Sequence, residues 1–303
     1  MFLNDTDLKK FDEDGYLFFP EMFSKDEASL LKEEAEKVYS QDRKEVWKES
    51  SGVARTAFAA HKYNEAFRRL GAHPRLIDPV SQVLQGDIYM HQFKLNAKAA
   101  FDGAVWQWHQ DYGTWKRDDG MPEPRAMNIA VFLDDVTAAN GPLLFIPGSH
   151  KSGVIDAGHD LETTSYPLWT LDNKKVLELA ERGGCVAPTG PAGSMLMFSS
   201  LLVHASPPNI SPFGRSIVYL SLCHVDNHIQ NFNREEWIAH RDFTPITKLF
   251  LQRKIEEVLI NYEPRVNLTS VNVDDDQDRN RLVVDIYFYV VGVPGPQLSL
   301  IHI

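Results

Sequence analysis

The 303-residue chain has only two cysteines, so neither a disulfide framework nor a zinc knuckle can be built. Cys185 and Cys223 show no CxxC spacing and are read as buried, reduced thiols. No run of about 18 apolar residues occurs, which excludes a transmembrane helix on length grounds. The opening MFLNDTDLKKFDEDG is too acidic for a signal or transit peptide, and a cytoplasmic location is the default expectation. Positive charge is in deficit: 31 Lys and Arg against 42 Asp and Glu leave a net charge of -11, with no basic stripe for nucleic acid or a membrane surface. The DDDQD run near the C-terminus lacks the glycine and distal glutamate of a calcium loop and reads as a solvated hairpin turn. Apolar residues at 43% and charged residues at 24% are those of an ordinary globular protein with room for a sizeable core.

Among the residues present, His109 and Asp111 in WHQDYGTW are the most informative. In an extended segment side chains two apart share a face, so both would point one way while Gln110 looks away. The spacing alone is weak evidence, because His224/Asp226 and His240/Asp242 repeat it. Context separates them. Only His109 is followed at domain-scale distance by the strand-like GSMLMF, a second histidine at His204 and, eleven residues later, Arg215 opening the apolar run RSIVYLSL. Alternation in that run places Arg215, Ile217, Tyr219 and Ser221 on one face. Two imidazoles and one carboxylate on one side of a metal leave positions open, an arrangement associated with non-haem Fe(II) oxygenases. The planar fork of Arg215 suits a terminal carboxylate, although a surface position after the Phe-Gly turn is the ordinary alternative for an arginine. A zinc or manganese site with hydrolytic chemistry is a competing reading, and Arg215 argues against it.

Along the chain, Ser24 and Glu27 form a capping box before a helix reaching about Tyr39, and a second helix is expected over His73 to Leu84. The polar segment RKEVWKESSGVARTAFAAHKYNEA has no clean period and suits a loop or lid. From Ile88 short apolar runs alternate with turn signals, the rhythm of a sandwich or barrel. Pro147-Gly148 marks a tight turn, with His150 as a turn-side polar residue. Trp106, Trp108, Tyr112 and Trp115 crowd the metal-bearing segment, as core packing or as a substrate cage, Tyr112 and Trp115 being nearest a substrate.

These blocks, in this order from about Phe11 to Ile246, resemble the phytanoyl-CoA dioxygenase family of Fe(II)/2-oxoglutarate oxygenases, in the branch of ectoine hydroxylase and the free amino acid hydroxylases. The blocks that carry the likeness are FDEDGYLFFPEMFSKDE, HQFKLNAK, the stretch from WHQDYGTW to IPGSH, the surroundings of His204 and Arg215, and EEWIAHRDFTP. The resemblance implies a double-stranded β-helix, a cupin-like jelly roll that is mainly β with flanking α-helices, over residues 1–246. It implies iron held by His109, Asp111 and His204, and 2-oxoglutarate held through Arg215 with Gln92, Asn96 and Ser206 lining its pocket. Dioxygen is the remaining cosubstrate. Lys94 falls where ectoine hydroxylase-like proteins carry a substrate-facing arginine. Arg241 is a candidate for a substrate carboxylate, an ion pair with Asp242 or Glu236 being the alternative. Halogenating relatives replace the iron-binding carboxylate, so Asp111 implies hydroxylation of a small molecule, a free L-amino acid (leucine, proline or pipecolate type) or similar zwitterion leading.

Residues 247–303 form a small α+β appendage: a helix through KLFLQRKIEEVLINY, then a hairpin of NLTSVNVD and RLVVDIYFYVVG around the acidic turn. Its YEPRV, VNVD and LVVDIYFYV blocks resemble the phage baseplate wedge subunit family, which implies an assembly piece. A fused module, a chance product of gene joining and an extension of the oxygenase sheet all remain open, as does an assembly protein with an inert β-domain.

Overall fold

The structure is a computed structural model, and it describes residues 2–160, 168–240, 245–276 and 281–302. Two compact units are present, one of Met1–Gly86 with Met90–His240, the other of Asp87–Tyr89 with Arg241–Ile303. Among the described residues no helix is long and apolar enough to cross a membrane.

The first unit is built on antiparallel sheets of a double-stranded β-helix with flanking helices. Its seven-stranded sheet runs, in spatial order, Tyr16–Phe19, Met195–Ser199, Ala126–Phe132, Arg215–His224, Ile88–Lys98, Ala54–Phe58 and Val46–Lys48. A three-stranded sheet of Trp106–His109, His204–Ser206 and Leu144–Phe145 completes the roll. Phe145 from the small sheet packs with Phe132, Phe198, Ile217 and Leu196 from the large one, so the main core lies between the two. The central strands Ala126–Phe132 and Arg215–His224 are buried at every position, as strands covered on both faces must be.

The capping box at Ser24 is present in both directions, Ser24 Oγ accepting from Glu27 N at 3.2 Å and Glu27 accepting from Ser24 N at 2.7 Å. It opens the helix Lys25–Tyr39, which buries Ala28, Leu31, Ala35 and Val38. The second expected helix is Pro74–Leu84. Gly148 takes a left-handed φ of 74° at the Pro-Gly turn, and the ring of His150 meets the Asp12 carbonyl through Nε2 at 3.1 Å.

Three expectations are corrected. The polar segment read as a lid is instead the hairpin Val46–Lys48 and Ala54–Phe58, paired to the edge of the large sheet. Its period is hidden because Arg55 and Thr56 are themselves buried, Arg55 by an ion pair to Glu49 at 2.8 Å. Cys223 is buried but Cys185 is exposed, just beyond the end of the helix Asn173–Gly183. In the second unit the helix Pro245–Tyr262 precedes a three-stranded sheet rather than a hairpin, since Gln297–His302 adds a third strand to Val266–Asp276 and Arg281–Val290. Val271, Val284 and Ile286 form that unit's own core against Leu251, Ile255 and Leu259. Residues 277–280 of the acidic turn lie outside the described residues.

Phe145 is fully buried and joins the two sheets. Phe145→Ala should cost about 3–5 kcal/mol, whereas Ser24→Ala, losing one cap, should cost about 1 kcal/mol. Urea unfolding followed by circular dichroism checks the contrast, which equal midpoints for the two variants would contradict.

Candidate active site

His109 closes the strand Trp106–His109 and sits directly opposite His204, the first residue of the antiparallel strand His204–Ser206. Side chains opposite one another on a ladder share a face, which brings the two imidazole centroids to 4.1 Å. The strand was expected to continue through Asp111, but it stops at His109 and Asp111 is the first residue of the helix Asp111–Asp118. The two-residue spacing still works because Gln110 keeps an extended backbone, φ -119° and ψ 128°. Gln110 faces away, donating to the Leu201 and Gly153 carbonyls at 2.7 and 2.9 Å and accepting from Ile155 N at 2.9 Å. Standing at a helix N-terminus, Asp111 also has its negative charge favoured by the helix dipole.

The orientation of both rings follows from their partners. His109 Nδ1 lies 2.6 Å from Gln107 O, and His204 Nδ1 lies 2.9 Å from Leu202 O. A carbonyl can only accept, so each Nδ1 carries hydrogen, and it is Nε2 of each ring that is left to offer a lone pair to a metal. Those nitrogens face the Asp111 carboxylate, His109 Nε2 at 3.7 Å from Oδ1 and His204 Nε2 at 3.5 Å from Oδ2. Among the described residues this is the group able to hold a metal ion, its donor atoms all within 4.8 Å of one another. Tied Nδ1 atoms and a mixed nitrogen and oxygen donor set fit an iron ion. Asn128 Nδ2 donates to Asp111 Oδ2 at 2.8 Å, and Ser221 Oγ donates to Asn128 Oδ1 at 2.7 Å, so the carboxylate is fixed from behind.

Burial pushes His204 down to about 4, with the nearby His109 adding to it, which keeps the ring neutral. For Asp111 burial acts upward, but His204, His109 and Lys94 outweigh it and hold the carboxyl well below its ordinary range. Lys94 is itself lowered by burial, with Asp111 opposing.

The metal-type cluster opens into a pocket of about 660 Å³, counting its open mouth. Gln92, Lys94 and Asn96 are alternate residues of the strand Ile88–Lys98 and line one wall together. Arg215 and Tyr219 line another. Arg215 donates to Gly141 O through Nε at 3.1 Å and Nη2 at 2.5 Å, and through Nη2 to Ser206 Oγ at 3.1 Å. Ser206 Oγ in turn donates to Gly141 O at 2.9 Å. Gln92 Nε2, Asn96 Oδ1 and Thr114 Oγ1 are buried with no hydrogen-bond partner, which marks the wall as made for a polar occupant.

Of the expected aromatics, Trp115 lines the pocket, its ring meeting His91 edge-on at 5.0 Å. Tyr112 is buried with its hydroxyl on the Pro122 and Met121 carbonyls, at 2.9 and 3.3 Å, and is not among the lining residues. Arg241 lies outside the described residues. The lining residues that were missed are the polar Thr114, Asn128 and Arg234 and the apolar Leu143, Leu168, Phe198 and Ala205. Asn128 had a signal, a lone polar residue inside AMNIAVF, and Thr114 lies three residues after Asp111 on one helix face. Arg234 had none, since NREEW reads as solvated charge, whereas its Nε and Nη2 hold the fully buried carboxylate of Asp119.

The profile of the phytanoyl-CoA dioxygenase (PhyH) family matches residues 11–217. An ectoine dioxygenase of Stutzerimonas stutzeri is 36% identical over 234 residues, 74% of this chain and 78% of that protein. L-proline trans-4-hydroxylase of Streptomyces griseoviridis is 33% identical over 255 residues, 80% of this chain and 95% of that one. The crystal structure of EctD from S. alaskensis with 2-oxoglutarate and 5-hydroxyectoine superposes with a TM-score of 0.71 at 32% identity, covering 81% of this chain and 86% of that one. With bound Fe the same protein gives a TM-score of 0.70 at 33% identity, with the same coverage. On the extent of these matches, the chain belongs to the phytanoyl-CoA dioxygenase family.

Proposed function

We propose that this 2-oxoglutarate-dependent dioxygenase hydroxylates an unactivated C–H bond of a small zwitterion, with a free L-amino acid as the leading class. The observation that carries the reading is the convergence of His109, His204 and Asp111 on one wall of a pocket whose other wall presents Arg215. Bound iron, with 2-oxoglutarate and dioxygen, supplies the oxidising power for the C–H bond, the cosubstrate leaving as succinate and carbon dioxide.

The protein's own residues bind, orient and exclude water. His109, His204 and Asp111 hold the metal, their orientations set by Gln107 O, Leu202 O and Asn128. Arg215 receives the distal carboxylate of 2-oxoglutarate, with Ser206 Oγ beside its Nη2 and Gln92 and Asn96 along the wall. Substrate takes the part of the pocket bounded by Lys94, Thr114, Trp115, Leu168 and Arg234. Asp119 pre-orients Arg234 through two hydrogen bonds, as suits a cation waiting for a carboxylate, while Thr114 Oγ1 offers an acceptor to an ammonium. Trp115, Leu168 and Phe198 supply apolar walls that keep water from the reacting carbon. All these residues belong to the first unit, so the reading of the protein as an assembly component with an inert β-domain is not favoured.

Substrate-dependent succinate formation with Fe(II) and 2-oxoglutarate, across a panel of free amino acids and cyclic zwitterions, tests the proposal; silence on the whole panel with iron retained would remove the substrate class. Asp111→Ala should abolish turnover and bound iron together, read by metal analysis. Arg215→Met should raise KM for 2-oxoglutarate by about 10- to 100-fold, the cost of about 1.5–3 kcal/mol for a lost charged contact, with iron content unchanged. Arg234→Met should instead raise KM for the amino acid and leave that for 2-oxoglutarate alone; the opposite pattern would reassign the two arginines.

A further inference from the structure

Apart from the two sheets of the roll, the first unit contains a separate antiparallel pair of strands, Ala157–Asp160 and Leu168–Leu171, with His159 opposite Trp169 and Asp160 opposite Leu168. The two ends of its second strand do different things. Leu171 joins the apolar cluster around Ile155 and Val203, whereas Leu168, only 4% exposed, lines the pocket.

The strand that carries Leu168 is fixed to the helix that starts with Asp111. Trp169 Nε1 donates to Asp118 Oδ1 at 3.0 Å, and the Arg117 guanidinium stands 5.1 Å from the centre of the Trp169 ring. On the neighbouring strand the His159 ring stacks on the same indole, with centroids 4.6 Å apart and planes 9° from parallel. Arg117 also donates through Nη2 to Ile155 O at 3.1 Å, and Ile155 N donates to Gln110 Oε1 at 2.9 Å, so the chain entering the pair is tied to the residue between His109 and Asp111. Both ends of one helix thereby hold the pair. Asp118 follows Trp115 by three residues on that helix, which puts Leu168 on the Thr114 and Trp115 side of the pocket, while Arg215 is held at Gly141 and Ser206.

We propose that Leu168 is a specificity-determining residue, setting the length of substrate carbon chain accepted beside Trp115, and that Trp169 is the positioning residue that holds it there. This inference rests on the small-zwitterion reading of the pocket. With Arg234 and Thr114 taking the charged groups of such a substrate, its apolar body lies against the carbon surface that remains on that side, which Trp115 and Leu168 provide. Charged groups common to every amino acid cannot tell one from another. Discrimination falls to the carbon walls, where room for one methylene more or less changes the preference about 10- to 200-fold. A wall selects by length only if it cannot retreat, and the contacts of Trp169 with Asp118, Arg117 and His159 supply that stiffness.

Anaerobic calorimetry of the full-length protein loaded with Fe(II) and 2-oxoglutarate reads the preferred length without turnover, using the straight-chain series from L-alanine to L-2-aminoheptanoate and the ring series from L-azetidine-2-carboxylate to L-pipecolate. Leu168→Ala should move the affinity optimum about one or two carbons longer and Leu168→Phe should move it shorter, the ratio between neighbouring members changing by about tenfold or more. Leu168→Met, close in volume, should leave the optimum in place. Trp169→Phe keeps a ring against His159 but loses the bond to Asp118, and should flatten the length preference. Iron content and affinity for 2-oxoglutarate should match the wild type in every variant. An optimum unmoved by both the Ala and the Phe exchange, or moved the same way by both, overturns the role of Leu168, and a preference as sharp as wild type in Trp169→Phe overturns that of Trp169. Wild-type binding of no member of either series removes the zwitterion reading and this inference with it, a result distinct from binding with an unmoved optimum.

Discussion

The pairing of His109 with His204 across two short antiparallel strands is the constraint on which the site depends. Side chains facing each other on a ladder cannot be moved apart without breaking the ladder, so the two imidazoles are held together by backbone hydrogen bonds rather than by contact between themselves. The rings are then turned by carbonyls two residues upstream, Gln107 O and Leu202 O, in the same way on both strands. A single local device, repeated, sets tautomer and direction. Phe145 pairs with His204 on the far side, and Phe198 stands edge-on to it at 5.2 Å, which ties the site to the core between the sheets.

The third donor is held differently. Asp111 stands where the chain turns from strand to helix, and the chain can make that turn because Gln110 spends its whole amide on the Gly153, Leu201 and Ile155 backbone. Asn128, held by Ser221, then fixes the carboxylate from the neighbouring sheet. Three independent pieces of structure converge, a strand pair, a helix start and a cross-sheet amide. Loss of any one leaves buried donors or acceptors unpaired, at about 1–3 kcal/mol each, so the arrangement is costly to disturb.

How much of this was legible in the sequence follows from the range over which each signal acts. The His109, Asp111, His204 and Arg215 set could be read because each sits in a segment whose alternation or spacing is local, and because the blocks fall in a family's order. The capping box at Ser24 and the strand rhythm after Ile88 were legible for the same reason. Arg234 was not, because its identity as a pocket residue depends on Asp119, 115 positions earlier, and on His91, whose Nε2 meets the same carboxylate at 3.2 Å. The hairpin Val46–Phe58 was hidden because a buried Arg55 violates the polar-outside rule that pattern reading relies on. Tyr112 misled in the opposite direction: its position next to a ligand was read correctly, but a helical step of about 100° per residue carries it away from the face that Asp111 and Trp115 share. The strand Gln297–His302 follows a Gly-Val-Pro-Gly-Pro run that is itself a strong turn signal, but six residues at the chain's end carry too short a pattern to be read as a third strand.

Charge balance ties the pocket to its ligands. Lys94, Arg215 and Arg234 all line it, against the single carboxylate of Asp111. One divalent metal would add further positive charge. Such a concentration of cations in a buried space is unfavourable unless anions enter with the ligands, and a cosubstrate with two carboxylates, together with the one carboxylate of the proposed substrate, would restore the balance. Asp119 already offsets Arg234 and Asp111 offsets Lys94, while among the described residues Arg215 has only the more distant Asp134 and, on the proposed reading, would be answered by the cosubstrate. An overall charge of -11 therefore coexists with a locally positive cavity, and the long-range field matters little because screening over about 8 Å separates the surface from the site.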